Sequence, residues 1–205
     1  MKLILTLLAA GLSSVLMAAH VLAQGDAAAG NKLVGACAAC HGQTGNSEIP
    51  ANPKLAGQGE KYLLKQLNDI KGGEREIALM AGQLSSMSDD DLANIAAFYA
   101  SQAQTPGAAE EKWVELGREM YRNGNHERGI PACAGCHGPA GNGNAPAGYP
   151  RIAGQHADYI ASQLRQFSVG VRTNDGESKT MRDIAERMNE NEIKAVASYT
   201  AGLRD

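Results

Sequence analysis

The sequence predicts an all-α protein made of two tandem copies of one helical unit. The same series of motifs occurs twice in the same order, which indicates duplication of a whole unit. Each copy contains three stretches with apolar residues at helical spacing, and no stretch alternates apolar and polar residues as a strand would. The chain has 205 residues, enough for a targeting segment followed by two small domains.

The internal repeat extends through both halves of the chain. The matched segments are 37–42 with 133–138, 53–58 with 150–155, 62–67 with 159–164, and Gly73, Arg75, Met80 and Met87 with Gly170, Arg172, Met181 and Met188. We therefore predict an N-terminal domain over 24–104 and a C-terminal domain over 105–205. The boundary falls where Thr105-Pro106-Gly107 interrupts the helical pattern.

Three helices are predicted in each half, with Gly-, Asn- and Pro-rich loops between the first two. The predicted helices span 26–40, 60–71 and 89–102 in the first half, and 110–122, 157–168 and 190–203 in the second. The second half also has an insertion at about 123–131. Long loops of this kind are unusual in a compact domain unless a ligand organises them.

The first 23 residues have the features of a signal peptide. Lys2 gives a positive start, residues 3–22 are mostly apolar, and small residues precede a cleavage position after Ala23. A retained membrane anchor is the alternative. Polar and glycine positions interrupt the apolar run, which favours cleavage and export.

Composition limits what the mature chain can be. It has one Trp, two Phe and six Tyr, so each domain of about 80 residues would have a thin core of its own. We therefore expect a bound group to fill the interior. The net charge of the whole sequence, −3, shows no excess of the basic residues that nucleic-acid binding requires.

The four cysteines form two copies of Cys-x-x-Cys-His, the attachment signature of c-type haem. Their thiols would form thioethers with the haem vinyl groups, and the adjacent His41 or His137 would bind the iron. The sequence thus predicts two covalently bound haem c groups. The alternatives are disulfides, a zinc site and a thioredoxin-like motif. The attachment residues are Cys37, Cys40, Cys133 and Cys136.

The sixth iron ligand is predicted to be a methionine, and each half offers two. Met87 and Met188 precede residues that suit a helix N-cap, Ser88 and Asn189, and an apolar residue follows four positions after each cap. This arrangement is a hydrophobic staple, so these two methionines already have a packing role. Met80 and Met181, in the loop before the last helix, are therefore the predicted axial ligands.

Other repeated positions suggest supporting roles. A backbone carbonyl at Pro53 or Pro150 could accept the Nδ1 proton of the iron-binding histidine and fix its ring; a simple turn proline is the alternative. Tyr62 and Tyr159 would either contact a haem edge or pack in the core. His126 and His156 are further candidate ligands, although surface or interface positions suit them better.

These motifs resemble the cytochrome c4 family over essentially the whole mature chain. The resemblance rests on segments 37–42, 53–66 and 154–160, and on 172–176 with Met181. It implies two class I cytochrome c folds in pseudo-twofold relation, each wrapped around a covalently bound haem. The family's ligand pattern falls on His41 with Met80 and on His137 with Met181.

The resemblance also implies a function and partners. We expect a periplasmic electron carrier, not an enzyme, between a quinol-oxidising complex (a quinol–cytochrome c reductase) and a terminal oxidase, sometimes loosely held at the membrane. Three alternatives stay open at this point: the dihaem subunit of a flavocytochrome-type dehydrogenase, a dihaem peroxidase, and a disulfide-stapled secreted helical protein.

Overall fold

The computed structural model describes residues 25–204, so the predicted signal peptide lies outside the described residues. Within this range the regular elements are α-helices and short 3-10 turns, with two isolated β-bridges, Asn125–Ile130 and Asn144–Tyr149. The predicted all-α class is confirmed. None of the helices between residues 25 and 204 has the length and apolar character needed to cross a bilayer.

The helices repeat in order through the two halves. The N-terminal half contains α1 (Ala27–Leu33), α2 (Ala38–His41), α3 (Glu60–Gly72), a 3-10 turn (Ala78–Met80) and α4 (Asp89–Ala100). The C-terminal half contains α5 (Glu111–Arg122), a 3-10 turn (His126–Arg128), α6 (Ala134–His137), α7 (Ala157–Ser168), α8 (Thr180–Glu186) and α9 (Glu190–Gly202). Residues 103–110 connect the halves without a helix.

Each half buries a small apolar core where its first and last helices cross. In the N-terminal half α1 and α3 pack against α4, and in the C-terminal half α5 and α7 pack against α9. The two cores contain few large side chains: Val34, Leu63, Ile95, Phe98 and Tyr99 in one, and Met120, Ile130, Leu164, Phe167 and Ile193 among others in the second.

A glycine allows each helix crossing. A Cβ atom on Gly30 of α1 would lie 2.0 Å from the backbone oxygen of Asn94 in α4. A Cβ atom on Gly117 of α5 would lie 2.3 Å from the backbone oxygen of Ala195 in α9. Backbone therefore packs on backbone at the same point in both halves, and a side chain would force the helices apart.

The last helix of each half begins at the predicted N-cap residue, which forms a capping box. The Ser88 side chain accepts from the Asp91 backbone, and the Asp91 carboxylate accepts from the Ser88 backbone. Asn189 and Glu192 form the same pair at α9. Glu192 is also buried against Arg128 of the insertion, which ties that insertion to the start of α9.

Two predicted elements differ in the structure. The predicted helix 26–40 is interrupted after Leu33, because the Cys-x-x-Cys-His motif forms its own turn beyond Gly35. Met181 is in the short helix α8 and not in a loop. The buried carboxylate of Asp175 accepts from the backbone N–H and the Nε of Arg182, at 3.0 and 2.6 Å, and so stabilises the first turn of α8.

We predict that Gly30→Ala destabilises the protein by about 1–3 kcal/mol, because the added methyl group would overlap the α4 backbone. In a helix without such a contact, replacing glycine by alanine normally stabilises the protein by roughly 0.5–1 kcal/mol. A decrease in the free energy of unfolding would therefore indicate the close helix crossing. Chemical denaturation followed by circular dichroism measures it.

Gly35→Ala is the matched control, since no atom lies within 4 Å of the added Cβ and the backbone φ there is negative or extended. Its free energy of unfolding should stay close to that of the parent. Equal effects of the two substitutions would contradict the close crossing.

Candidate functional site

Each Cys-x-x-Cys-His motif forms one tight helical turn. In α2 the backbone N–H groups of Cys40 and His41 donate to the carbonyl of Cys37 at 3.2 and 2.9 Å. The same two bonds form in α6, at 3.2 and 3.0 Å. The turn therefore brings two sulfur-bearing residues and one imidazole together on a single short helix in each half.

The two motif histidines are buried and anchored identically. Each is 9% exposed. The Nδ1 of His41 donates to the carbonyl of Pro53 at 2.9 Å, and the Nδ1 of His137 donates to the carbonyl of Pro150 at 2.9 Å. A carbonyl oxygen can only accept, so the proton is on Nδ1 and the Nε2 lone pair is free in the neutral ring. The predicted proline contacts are confirmed.

Burial favours the form of these histidines that binds a metal. It lowers the pKa of His41 and of His137, although the proline carbonyls partly oppose this by stabilising a ring proton. Because a neutral imidazole is the ligand form, both rings are prepared to coordinate through Nε2.

The cysteines are unpaired in the structure, and they suit thioether attachment. Burial raises the pKa of Cys37, and it raises the pKa of Cys133 to about 11. Both are therefore neutral thiols at pH 7. Two thiols and an imidazole with a free Nε2 on one turn are the donor set that haem c requires, so the residues fit this group.

The four repeated methionines occupy two kinds of position. Met87 and Met188 immediately precede the capping boxes and pack against the core of their own half. Met80 ends a 3-10 turn and Met181 lies in the first turn of α8, and both are half-buried. Met181 also packs against the C-terminal core. Met120 is a buried core residue.

A polar network joins the two halves where α3 and α7 meet. The Arg75 guanidinium donates to Gln66 of its own half at 2.7 Å and, in the other half, to the hydroxyl of Tyr159 at 2.9 Å. Arg172 mirrors it, donating to Gln163 at 2.8 Å and to the Tyr62 hydroxyl at 3.2 Å. Tyr62 and Tyr159 are thus interface residues.

The network contains more positive than negative charge. Both arginines are less than 10% exposed. Burial alone would lower the pKa of Arg172, but Tyr62 and Tyr159 outweigh this and raise it. Burial alone would raise the pKa of Tyr62, but Arg172, Arg75 and Lys65 lower it. The hydrogen bonds of both guanidinium groups are directed to polar side chains of the two halves.

Sequence reasoning matched Arg75 with Arg172 in the repeat but did not assign them a role. The one indication of a role in the sequence was that both arginines recur at matched positions in glycine-containing segments. The remaining histidines lie as expected: His126 is exposed, and His156 Nε2 donates across the interface to the carbonyl of Ser47 at 2.8 Å.

Comparison with known proteins agrees with this geometry. The family model for cytochrome c matches twice, over residues 27–103 and 114–203. Cytochrome c4 of Azotobacter vinelandii is 51% identical over 190 residues, covering 88% of this chain and 90% of that protein. The crystal structure of reduced cytochrome c4 from Pseudomonas stutzeri superposes with a TM-score of 0.87 at 47% identity, covering 88% of this chain and all of that one.

A more distant relative is the thiosulfate dehydrogenase electron acceptor of Stutzerimonas stutzeri, 37% identical and covering 82% of this chain and 79% of that protein. The duplicated fold and its paired attachment turns define a tandem c-type cytochrome. The chain belongs to the cytochrome c family and, within it, to cytochrome c4. It is a dihaem electron-transfer protein with two covalently attached haem c groups, and not an enzyme.

Proposed function

We propose that this protein is an exported, periplasmic carrier that passes single electrons between a quinol-oxidising complex and a terminal oxidase or another acceptor. The observation that supports this most strongly is the exact repetition of one buried, proline-anchored histidine turn in a chain 51% identical to a cytochrome c4. Each half then handles one electron.

The proposed ligand set follows the repeat. Cys37 and Cys40 hold one haem by thioethers, and His41 and Met80 bind its iron. The corresponding residues of the C-terminal half are Cys133, Cys136, His137 and Met181. A bound haem supplies an iron that changes its charge by one electron. The chain's own residues orient the imidazole and keep water away from it.

Methionine is the ligand that suits a carrier. Its thioether sulfur would raise the potential of the iron and would leave no coordination position open to oxygen or peroxide. The staple roles of Met87 and Met188 support Met80 and Met181 as the ligands. Such ligation would favour electron transfer over the peroxidase alternative.

A relative of this chain indicates a second kind of electron donor. The protein named as the electron acceptor of thiosulfate dehydrogenase adds a dehydrogenase to the donors to be tested. The near-balanced charge of −3 suits weak, transient docking with several partners.

We expect Met80→Leu to remove about half of the red absorption band that marks methionine-ligated ferric haem, because one of two irons loses its sulfur ligand. Met181→Leu should remove the other half, and each variant should lower one of the two midpoint potentials. Visible spectroscopy and a redox titration measure these changes.

Met87→Leu provides the control, since leucine keeps the volume of the staple and contributes no sulfur. Its band should be intact. Loss of the band in Met87→Leu with retention in Met80→Leu would reverse the ligand assignment.

The proposed route is tested with membranes of the organism that encodes the protein. Quinol should reduce the added oxidised protein, and an inhibitor of the quinol-oxidising complex should block this. The reduced protein should in turn be reoxidised by the terminal oxidase. Stoichiometric co-purification with a flavoprotein, together with reduction only by that protein's substrate, would replace the proposal with the flavocytochrome alternative.

A further inference from the structure

Two glutamines form reciprocal hydrogen-bond pairs across the interface. The side chain of Gln155, in the C-terminal half, accepts from the backbone N–H of Lys54 at 2.9 Å and donates to its carbonyl at 2.8 Å. Gln58, in the N-terminal half, forms the same pair with Arg151, at 2.7 and 2.8 Å. Each half therefore holds one backbone segment of the other.

The peptide groups that these glutamines hold are also the ones that anchor the histidines. The N–H of Lys54 and the carbonyl of Pro53 belong to one peptide group, and that carbonyl accepts from Nδ1 of His41. The equivalent peptide group, between Pro150 and Arg151, accepts from His137. A continuous chain of hydrogen bonds thus runs from a glutamine in one half to the histidine of the other.

Burial and further contacts set the orientation of both carboxamides. Gln58 is 8% exposed and Gln155 is 3% exposed. Each carboxamide oxygen also accepts from the next backbone N–H of its own half, at 2.9 Å from Gly59 and 3.0 Å from His156. The oxygen therefore faces two N–H donors, the amide group faces a carbonyl, and a flipped carboxamide would lose every one of these bonds.

Hydrogen bonds in such a chain reinforce one another. An acceptor on the N–H end of a peptide group polarises it, so its carbonyl oxygen becomes a stronger acceptor, by roughly 10–30% per bond. A stronger acceptor at Nδ1 makes an imidazole more electron-donating toward a metal, which is how outer contacts tune a coordinated histidine. A more electron-rich ligand stabilises oxidised iron and lowers its reduction potential.

We propose that Gln155 and Gln58 are positioning residues that tune the axial histidine, and hence the reduction potential, of the opposite half. Gln155 acts on His41 through the Pro53–Lys54 peptide, and Gln58 acts on His137 through the Pro150–Arg151 peptide. The potential of each half is thereby coupled to correct docking of the other. The inference rests on the ligand set proposed above.

Gln155→Leu is the main test, because leucine has a similar volume and offers no polar atom. A redox titration of the full-length dihaem protein should show one midpoint potential rise, that of the N-terminal haem. Gln58→Leu should instead raise the potential of the C-terminal haem. With 15N-labelled histidine, the Nδ1 resonance of His41 should move in the first variant and that of His137 in the second.

Lys61→Met is the control for general loosening of the interface. It removes the bond from Lys61 Nζ to the carbonyl of Pro146, 3.0 Å long, and touches neither peptide group. Both potentials and both histidine resonances should remain at their original values. Equal shifts of both potentials in a glutamine variant, or no shift in a folded variant, would overturn the proposal.

Gln155→Glu is the second variant, to be used if the Gln155→Leu protein does not fold. It retains an oxygen facing the Lys54 N–H, so the N-terminal potential should stay at or below its original value. A rise like that expected for leucine would refute the proposal. These potentials are measured on the isolated protein with redox mediators, so they do not depend on the physiological partners. If the protein failed to exchange electrons with an oxidase, the proposed route would be wrong, but the result on the glutamines would still hold.

Discussion

The hydrogen bond from each buried histidine to a proline carbonyl connects the haem-attachment turn, a loop and the contact between the two halves. On one side it joins the Cys-x-x-Cys-His turn, which places two thiols beside the imidazole. On the other side it joins a loop that also forms the contact between the halves. The bond at 2.9 Å from His41 to Pro53, repeated at Pro150, therefore ties cofactor attachment, loop conformation and docking of the halves to one another.

The described hydrogen bonds between the halves form a polar interface. Each half has a small apolar core of its own at a glycine-mediated helix crossing. The halves instead associate through arginine, glutamine and tyrosine side chains whose hydrogen bonds are mostly satisfied within the network. Directional bonds of this kind specify one relative arrangement, which an electron-transfer protein with two cofactors needs.

Local patterns in the sequence predicted most of the fold and the attachment residues. The capping boxes at Ser88 and Asn189, the helical turns at the cysteines and the proline contacts all depend on residues close in sequence or repeated in order. Helix α8 was not predicted, because it is stabilised by a buried Asp175–Arg182 pair for which the described residues of the N-terminal half contain no equivalent.

The cross-interface contacts could not be read from the sequence for a different reason. Gln155 and Lys54 lie in different halves, and nothing in either segment shows that the two will meet. Such contacts depend on how the two halves dock. The repeat revealed only that whatever Arg75 and Gln58 do, Arg172 and Gln155 do as well.

The chain contains two equivalent one-electron centres, and spectroelectrochemical titration of the purified full-length protein would show whether both accept an electron. We expect two electrons per chain, taken up in two one-electron steps of equal absorbance change, with methionine-ligated spectra at both ends of the titration. Uptake of a single electron per chain, or one step that lacks the methionine-ligated spectrum, would contradict it.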